Sequence, residues 1–393
     1  MKNSVSLLGA FLVAVLGASS SQGDHVDDVI MAQMRERHIP GVALAVIQES
    51  RVIREQSYGL ADEENKVPVT SSTLFQAASV SKPVAALGAL HLVEQGKLSL
   101  DENVNGKLRH WKIPENRFTK NHPVTLRLIL SHSAGLTVHG FSGYPVGAPI
   151  PSLVQILDGR PPANSAPIRV DQIPGSRWSY SGGGFVVMQQ MMIDVTGRSF
   201  ADYMDETVLE PLEMSSSTFR QSLPETWEHR AATGHTGASR RPVAGRWRVH
   251  PELAAAGLWT TAGDLAQFLI NVQRSLAGTS NPVISQSMTR QMLTKQNGDS
   301  GPGFMLGGTP VRFGHNGDNV GFNAITIAFE TGEGAVILMN ANTDIEVLKN
   351  ILVEAIAERY HWPGYPLSRE TPNQSIQPTS VPEEHAAGRW ADY

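Results

Sequence analysis

Apolar residues recur along this chain with two periods, and the changes of period divide it. Residues 24–38 carry Val26, Ile30, Met31 and Met34 at the spacing of an amphipathic helix. Residues 42–48 (VALAVIQ) form a short apolar run, and Glu49 and Ser50 a polar pair. Residues 51–58 (RVIREQSY) follow, so the stretch reads as a hairpin. Residues 83–95 (PVAALGALHLVEQ) predict a helix closed by Gly96. Further helices are predicted over 184–196, stopped by Gly197, and over 264–275, where Thr261-x-x-Asp264 makes a capping-box pattern. The rest of the region from about 100 to 300 reads as helix and loop, with residues 138–174, rich in Gly, Pro and Ser, as a long surface loop. Strand patterns return at 311–313, 322–329 and 334–340, with a turn at 331–334, and residues 344–360 predict a long amphipathic helix. Strands at both ends with helices between them predict a mixed α/β fold. One sheet is assembled from both chain ends, beside a helical subdomain, with a cleft at the junction where ligand sites favour.

The two termini change this picture. Lys2, the apolar run 7–16 and the small or polar residues 18–23 have the pattern of a cleaved secretory signal. The run falls short of the roughly 20 apolar residues of a spanning helix; an uncleaved N-terminal anchor is the alternative. Residues 362–393, polar and rich in Pro and Ser, read as a flexible tail. The expected organisation is a signal peptide at 1–22, a catalytic domain at 24–361 with a helical insertion at about 100–300, and the tail. The expected location is the periplasm or the exterior, without stable membrane insertion.

Composition removes several function classes. Of 393 residues, 41% are hydrophobic and 18% charged, with a formal net charge of -5 and no basic stripe, which argues for a globular chain and against nucleic acid as a partner. The absence of cysteine excludes disulfide and thiol chemistry. His132, His139, His235 and His250 lack the paired spacing of a metal site, so neither metal nor other cofactor is expected.

Three short motifs carry candidate chemistry. Ser79-Val80-Ser81-Lys82 stands at the entrance of the helix through Gln95. Residues three apart share a helix face, and a desolvated lysine can take the proton that makes a serine hydroxyl nucleophilic. Pro83 is tolerated only near a first helical turn, which puts Ser79 at or just before the helix start. By itself this tetrapeptide also fits an N-cap serine beside a solvated lysine. Tyr180 precedes the helix from Gly184 and could relay protons if a nearby ammonium lowered its pKa; a buried, satisfied tyrosine reads equally well. His315-Asn316-Gly317 lies on a late strand pattern, where Gly317 permits close approach of a ligand. The backbone N–H of Asp318 could join that of Ser79 in an oxyanion hole. A plain Asn-Gly turn is the other reading.

Taken together, the order Ser-x-x-Lys at 79, Tyr at 180 and His-x-Gly at 315 resembles the serine β-lactamase and penicillin-binding superfamily. FQAASVSKPVAALGALHLVEQGKLSLDENV, VTLRLILSHSAGL, GLWTTAGDLAQFL and FGHNGDNVGF are similar to segments of its class C β-lactamase, DD-peptidase and esterase-like group, over about residues 25–360. The resemblance implies an antiparallel sheet covered by helices and packed on an all-helical domain. It implies Ser79 as nucleophile, Lys82 as proton acceptor, Tyr180 as proton shuttle, and His315, Gly317 and Asp318 at the substrate. Two positions depart from it. Gly182 stands where Tyr-x-Asn members carry the amide that holds a substrate amide, and His315 stands where β-lactamases carry the lysine of Lys-Thr-Gly. A histidine is only partly charged at neutral pH, so grip on a substrate carboxylate should weaken.

The expected function is therefore an exported serine hydrolase cleaving esters or amides, D-peptides and β-lactams among them, through a Ser79 acyl-enzyme. Its partner would be a small acyl compound or a cell-wall peptide. An acyltransferase using the same acyl-enzyme, or a non-catalytic binder of cell-wall fragments, are the alternatives.

Overall fold

A computed structural model describes residues 24–236 and 241–364. Its centre is a seven-stranded antiparallel sheet. The first part of the chain supplies β1 (Gly41–Gln48), β2 (Arg51–Asp62) and β3 (Val67–Pro68). The last part supplies β4 (Met305–Gly307), β5 (Arg312–Asn319), β6 (Phe322–Phe329) and β7 (Gly334–Met339). The order across the sheet is β4-β5-β6-β7-β1-β2-β3, so β1 joins the two ends of the chain, with Val42 opposite Met339 and Ile47 opposite Gly334.

Alternation along each strand sorts side chains between two cores. In β1, Ala43, Ala45 and Ile47 enter the large core, while Val42, Leu44 and Val46 enter a smaller one. Both faces are dry, which explains why residues 42–47 read as an unbroken apolar run. The smaller core is closed by α1 (His25–Arg37) and α5 (Ile345–Tyr360). The opposite face packs on α4 (Ala262–Ala277), capped by Thr261, whose hydroxyl accepts the Asp264 N–H at 3.2 Å. Inside the large core run α2 (Ser81–Glu94) and α3 (Gly182–Thr196). α2 is apolar on nearly all sides because it is buried on nearly all sides.

Two readings need adjustment. Residues 138–174 are not a bare surface loop. They hold a short strand at Tyr144–Pro145 and a helix at Leu153–Asp158, and Ile156, Leu157, Ile168 and Val170 are buried in the large core. The helix has a reciprocal capping box between Ser152 and Gln155 and a left-handed Gly159 behind it, local signals that its brevity obscured. At the other end, Trp362 is buried against Phe329, so packed structure reaches one residue past the expected boundary at 361. The signal-like segment and the tail beyond 364 lie outside the described residues. Among the described residues no helix is long and apolar enough to cross a membrane.

Candidate active site

The turn before α2 is fastened on three sides. The Ala77 N–H donates to the Leu258 carbonyl at 2.9 Å, and Ala78 takes a left-handed φ of 48°. Such a backbone costs a non-glycine residue about 1 kcal/mol and persists where its surroundings impose it. Ser81 Oγ donates to the Ala78 carbonyl at 2.6 Å and accepts the Leu258 N–H at 3.0 Å. The third side is the sheet. A Cβ on Gly317 would stand 2.3 Å from the Ala77 carbonyl oxygen. Gly317 is therefore required by the turn that carries Ser79, and the close approach foreseen for a ligand is made by the protein's own backbone. His315-Asn316-Gly317 lies inside β5 and is not a turn.

One helical step beyond, Lys82 is almost fully buried. Its Nζ donates to Ser79 Oγ at 2.9 Å and to the Ala255 carbonyl at 2.8 Å. Burial disfavours the ammonium and pushes its pKa down to about 7. Ala255 belongs to a one-turn helix, Leu253–Ala256, that no motif had marked. Ser79 lies close enough to the Tyr180 hydroxyl to influence its ionisation, and Lys82 Nζ stands 5.0 Å from the Tyr180 ring centre. Desolvation raises the pKa of this phenol. That reverses the direction expected from a neighbouring ammonium: Tyr180 keeps its proton and can relay one only by giving and taking together.

His132 holds Tyr180 in place. Its ring stacks on the tyrosine at 4.2 Å between centroids, its Nδ1 accepts the Ser181 N–H at 3.2 Å, and its carbonyl accepts the Ser179 N–H at 2.7 Å. Burial first, then the nearby Lys82, His315 and His139, lowers its pKa well below the ordinary value, so the ring is a neutral acceptor. His139 covers another side of Tyr180 at 4.6 Å, and Trp178 stands 6.4 Å away. The segment VTLRLILSHSAGL contained the signal for His132, but a ring bonded to a backbone 49 residues away is visible only in three dimensions.

His315 joins the group from β5, with its ring 5.9 Å from that of Tyr180. Its Nδ1 lies 2.6 Å from the Asn316 carbonyl oxygen. Burial, assisted by Lys82, pushes its pKa down to about 3. It is uncharged at neutral pH, where partial charge was anticipated. Alternation turns Asn316 to the other face, where its amide donates to Glu346 at 2.6 Å. Asp318 is exposed and accepts from the Asn323 amide at 3.2 Å. Beneath the site Asn319 Nδ2 donates to Gln76 Oε1 at 3.0 Å and to the Ala256 carbonyl at 3.2 Å, tying β5 to the segment leading to Ser79 and to the short helix whose Ala255 carbonyl holds Lys82. Of the other histidines, His235 bonds the Asn340 carbonyl and His250 is fully buried. Among the described residues no cluster of three or more His, Cys, Asp or Glu could hold a metal ion.

The structure thus brings Ser79, Lys82, Tyr180 and His315 together from the distant segments in which they were found. The family model for Beta-lactamase matches residues 26–358, most of the chain. The chain belongs to the Beta-lactamase family. Protein flp of Staphylococcus aureus (strain MW2) is 24% identical over 251 residues, covering 62% of this chain and 47% of that protein. Esterase EstB of Burkholderia gladioli is 30% identical over 215 residues, covering 53% of this chain and 54% of that protein. The chain spans about half the length of these curated relatives. The D-amino acid amidase of Ochrobactrum anthropi SV3 shares the fold, with a TM-score of 0.69 and 21% identity over 86% of this chain and 99% of that one. Gly182 follows Tyr180 by two residues, and the His315 ring stands 5.9 Å from the Tyr180 ring.

Proposed function

We propose that this protein is an exported serine hydrolase that cleaves ester or amide bonds through an acyl-enzyme on Ser79. The observation that carries the reading is the buried Lys82 amine, 2.9 Å from Ser79 Oγ, with a pKa brought down to about 7. A neutral amine in that position can turn its lone pair toward the Ser79 hydroxyl and take its proton across the same short distance. As Ser79 Oγ attacks the carbonyl carbon, its proton passes to Lys82, and the oxyanion is received by the backbone N–H groups of Ser79 and Asp318. Collapse breaks the bond to the leaving group, which takes the Tyr180 proton while Lys82 returns one to Tyr180. Water then attacks the acyl-enzyme with the same proton movements reversed. Membership of a family whose relatives include a named esterase supports the reaction class. The signal-like residues 1–22 support export.

The test is turnover of 4-nitrophenyl butyrate by the mature chain and by Ser79→Ala. The hydrolase reading expects loss of nearly all activity in the variant, with acylation of the native protein visible as a mass increase on Ser79. Equal turnover by both proteins would refute it. Recovery of a chain that still begins at Met1 from the periplasmic fraction would refute the cleaved signal.

A further inference from the structure

We propose that this site selects uncharged substrates, namely neutral carboxylic esters with an apolar acyl group, and that His315 and Phe141 are the residues that enforce the choice. The inference rests on the hydrolase reading above and concerns which acyl compounds that hydrolase accepts.

The first observation is the direction of a hydrogen bond. His315 Nδ1 is 2.6 Å from the Asn316 carbonyl oxygen. A carbonyl can only accept, so the proton sits on Nδ1 and Nε2 presents a lone pair. Nε2 is buried and has no hydrogen-bond partner among the described residues. It lies on the strand face that carries Gly317 against the nucleophile turn. A ring that offers a lone pair welcomes a hydrogen-bond donor. A carboxylate brings only lone pairs and would be desolvated against it without compensation. Conversion of this ring to a cation is opposed by its burial and by Lys82.

The second observation is what stands over Gly182. A Cβ at this position would lie 3.1 Å from Phe141 Cε2 and 2.9 Å from the His139 carbonyl oxygen. The Phe141 ring edge and the His139 carbonyl oxygen, which already accepts the Gly182 N–H at 3.0 Å, therefore fill the place from which a side chain at 182 would reach out, and the ring adds hydrocarbon there. Phe141 is half-buried and packs against the large core. The His139 ring, tilted on Tyr180, and Trp178, a residue 38% exposed, add aromatic surface on the Tyr180 side. Such walls accept methylene and ring carbons and leave a peptide amide without partners.

The experiment compares two esters with four-carbon acyl groups, 4-nitrophenyl butyrate and 4-nitrophenyl hydrogen succinate, which differ by one carboxylate. The quantity read is kcat/KM after subtraction of uncatalysed hydrolysis. The native protein should favour the neutral ester by on the order of 100-fold. His315→Lys should narrow that ratio by about tenfold or more through faster turnover of the anionic ester. Phe141→Ala should slow the butyrate without helping the succinate. Equal kcat/KM for the two esters in the native protein overturns the inference and leaves the hydrolase reading standing. An unchanged ratio in a folded His315→Lys protein overturns the assignment to His315. If that variant does not fold, the native ratio and Phe141→Ala decide. Turnover of neither ester, with no adduct on Ser79, removes the hydrolase reading and this inference with it.

Discussion

Glu252 offers the sharpest quantitative test of the packing around Lys82. It is fully buried, and its backbone carbonyl accepts the N–H groups of Ala255 and Ala256 at 3.0 and 2.9 Å, closing the turn whose Ala255 carbonyl holds Lys82. Neither carboxylate oxygen has a hydrogen-bond partner of good geometry among the described residues. Desolvation pushes the carboxyl from its ordinary 4.5 up to about 8, and a glancing contact with its own backbone N–H offsets only part of that. At neutral pH the folded protein therefore carries a proton here that the unfolded chain has released. For a group whose folded pKa is raised, stability is fully present below the unfolded pKa and is lost as pH rises toward the folded one. The window for Glu252 runs from about 4.5 to about 8. Over the 2.5 units from 4.5 to neutrality, at 1.36 kcal/mol each, the loss amounts to about 3 kcal/mol. Glu252→Gln keeps the shape and removes the ionisation. The stability of the variant relative to the native protein should rise by about 3 kcal/mol between about pH 4 and pH 7. Urea unfolding of both proteins across that range measures this difference directly. A stability difference that does not change with pH would refute the assignment of a protonated, unpartnered carboxyl at 252.

Three further outcomes follow from the site. With the neutral amine of Lys82 as the proposed base, kcat/KM should rise with pH through about 7 and then level off; a flat profile between about pH 5 and 9 would exclude Lys82 as the titrating base. Tyr180→Phe keeps the stacking on His132 and loses the proton relay. It should lower kcat by roughly 100- to 10,000-fold with little change in thermal melting, and near-native turnover would contradict the relay. Gly317→Ala forces a methyl to within 2.3 Å of the Ala77 carbonyl oxygen. It should destabilise the protein by about 1–3 kcal/mol and slow acylation of Ser79, both of which native-like unfolding and turnover would disprove.

Legibility varied with how local the cause was. α2 was readable because Pro83 and Gly96 bracket it, and the same two marks put Ser79 just outside its first turn. Five strands of the sheet were foreseeable from apolar runs at both ends, whereas the short β3 and β4 were not, and β5 proved longer than its pattern because glycine, histidine and asparagine interrupt it. Ser79, Lys82, Tyr180 and His315 were all found by motif, while their ionisation was not. Composition near a residue does not reveal burial, and burial sets the charge states of Tyr180 and His315. The partners that came from elsewhere, Ala255, His132 and Phe141, act through a carbonyl, a ring nitrogen and a ring face. Their neighbours in space are far away in sequence, and no motif encodes such a meeting.

The position of β1 carries a consequence for the order of events in folding. Its two neighbours differ greatly in sequence distance: β2 follows after a two-residue turn, whereas β7 arrives almost 300 residues later. Until then β1 offers an open edge with an apolar sequence on both faces, the kind of segment that invites pairing with other chains. The strand bearing His315, and with it the brace behind Ser79, also belongs to the late group. A growing chain thus holds its serine and lysine long before it has the sheet that aims them. Non-local closure of this kind is the slow class of strand pairing.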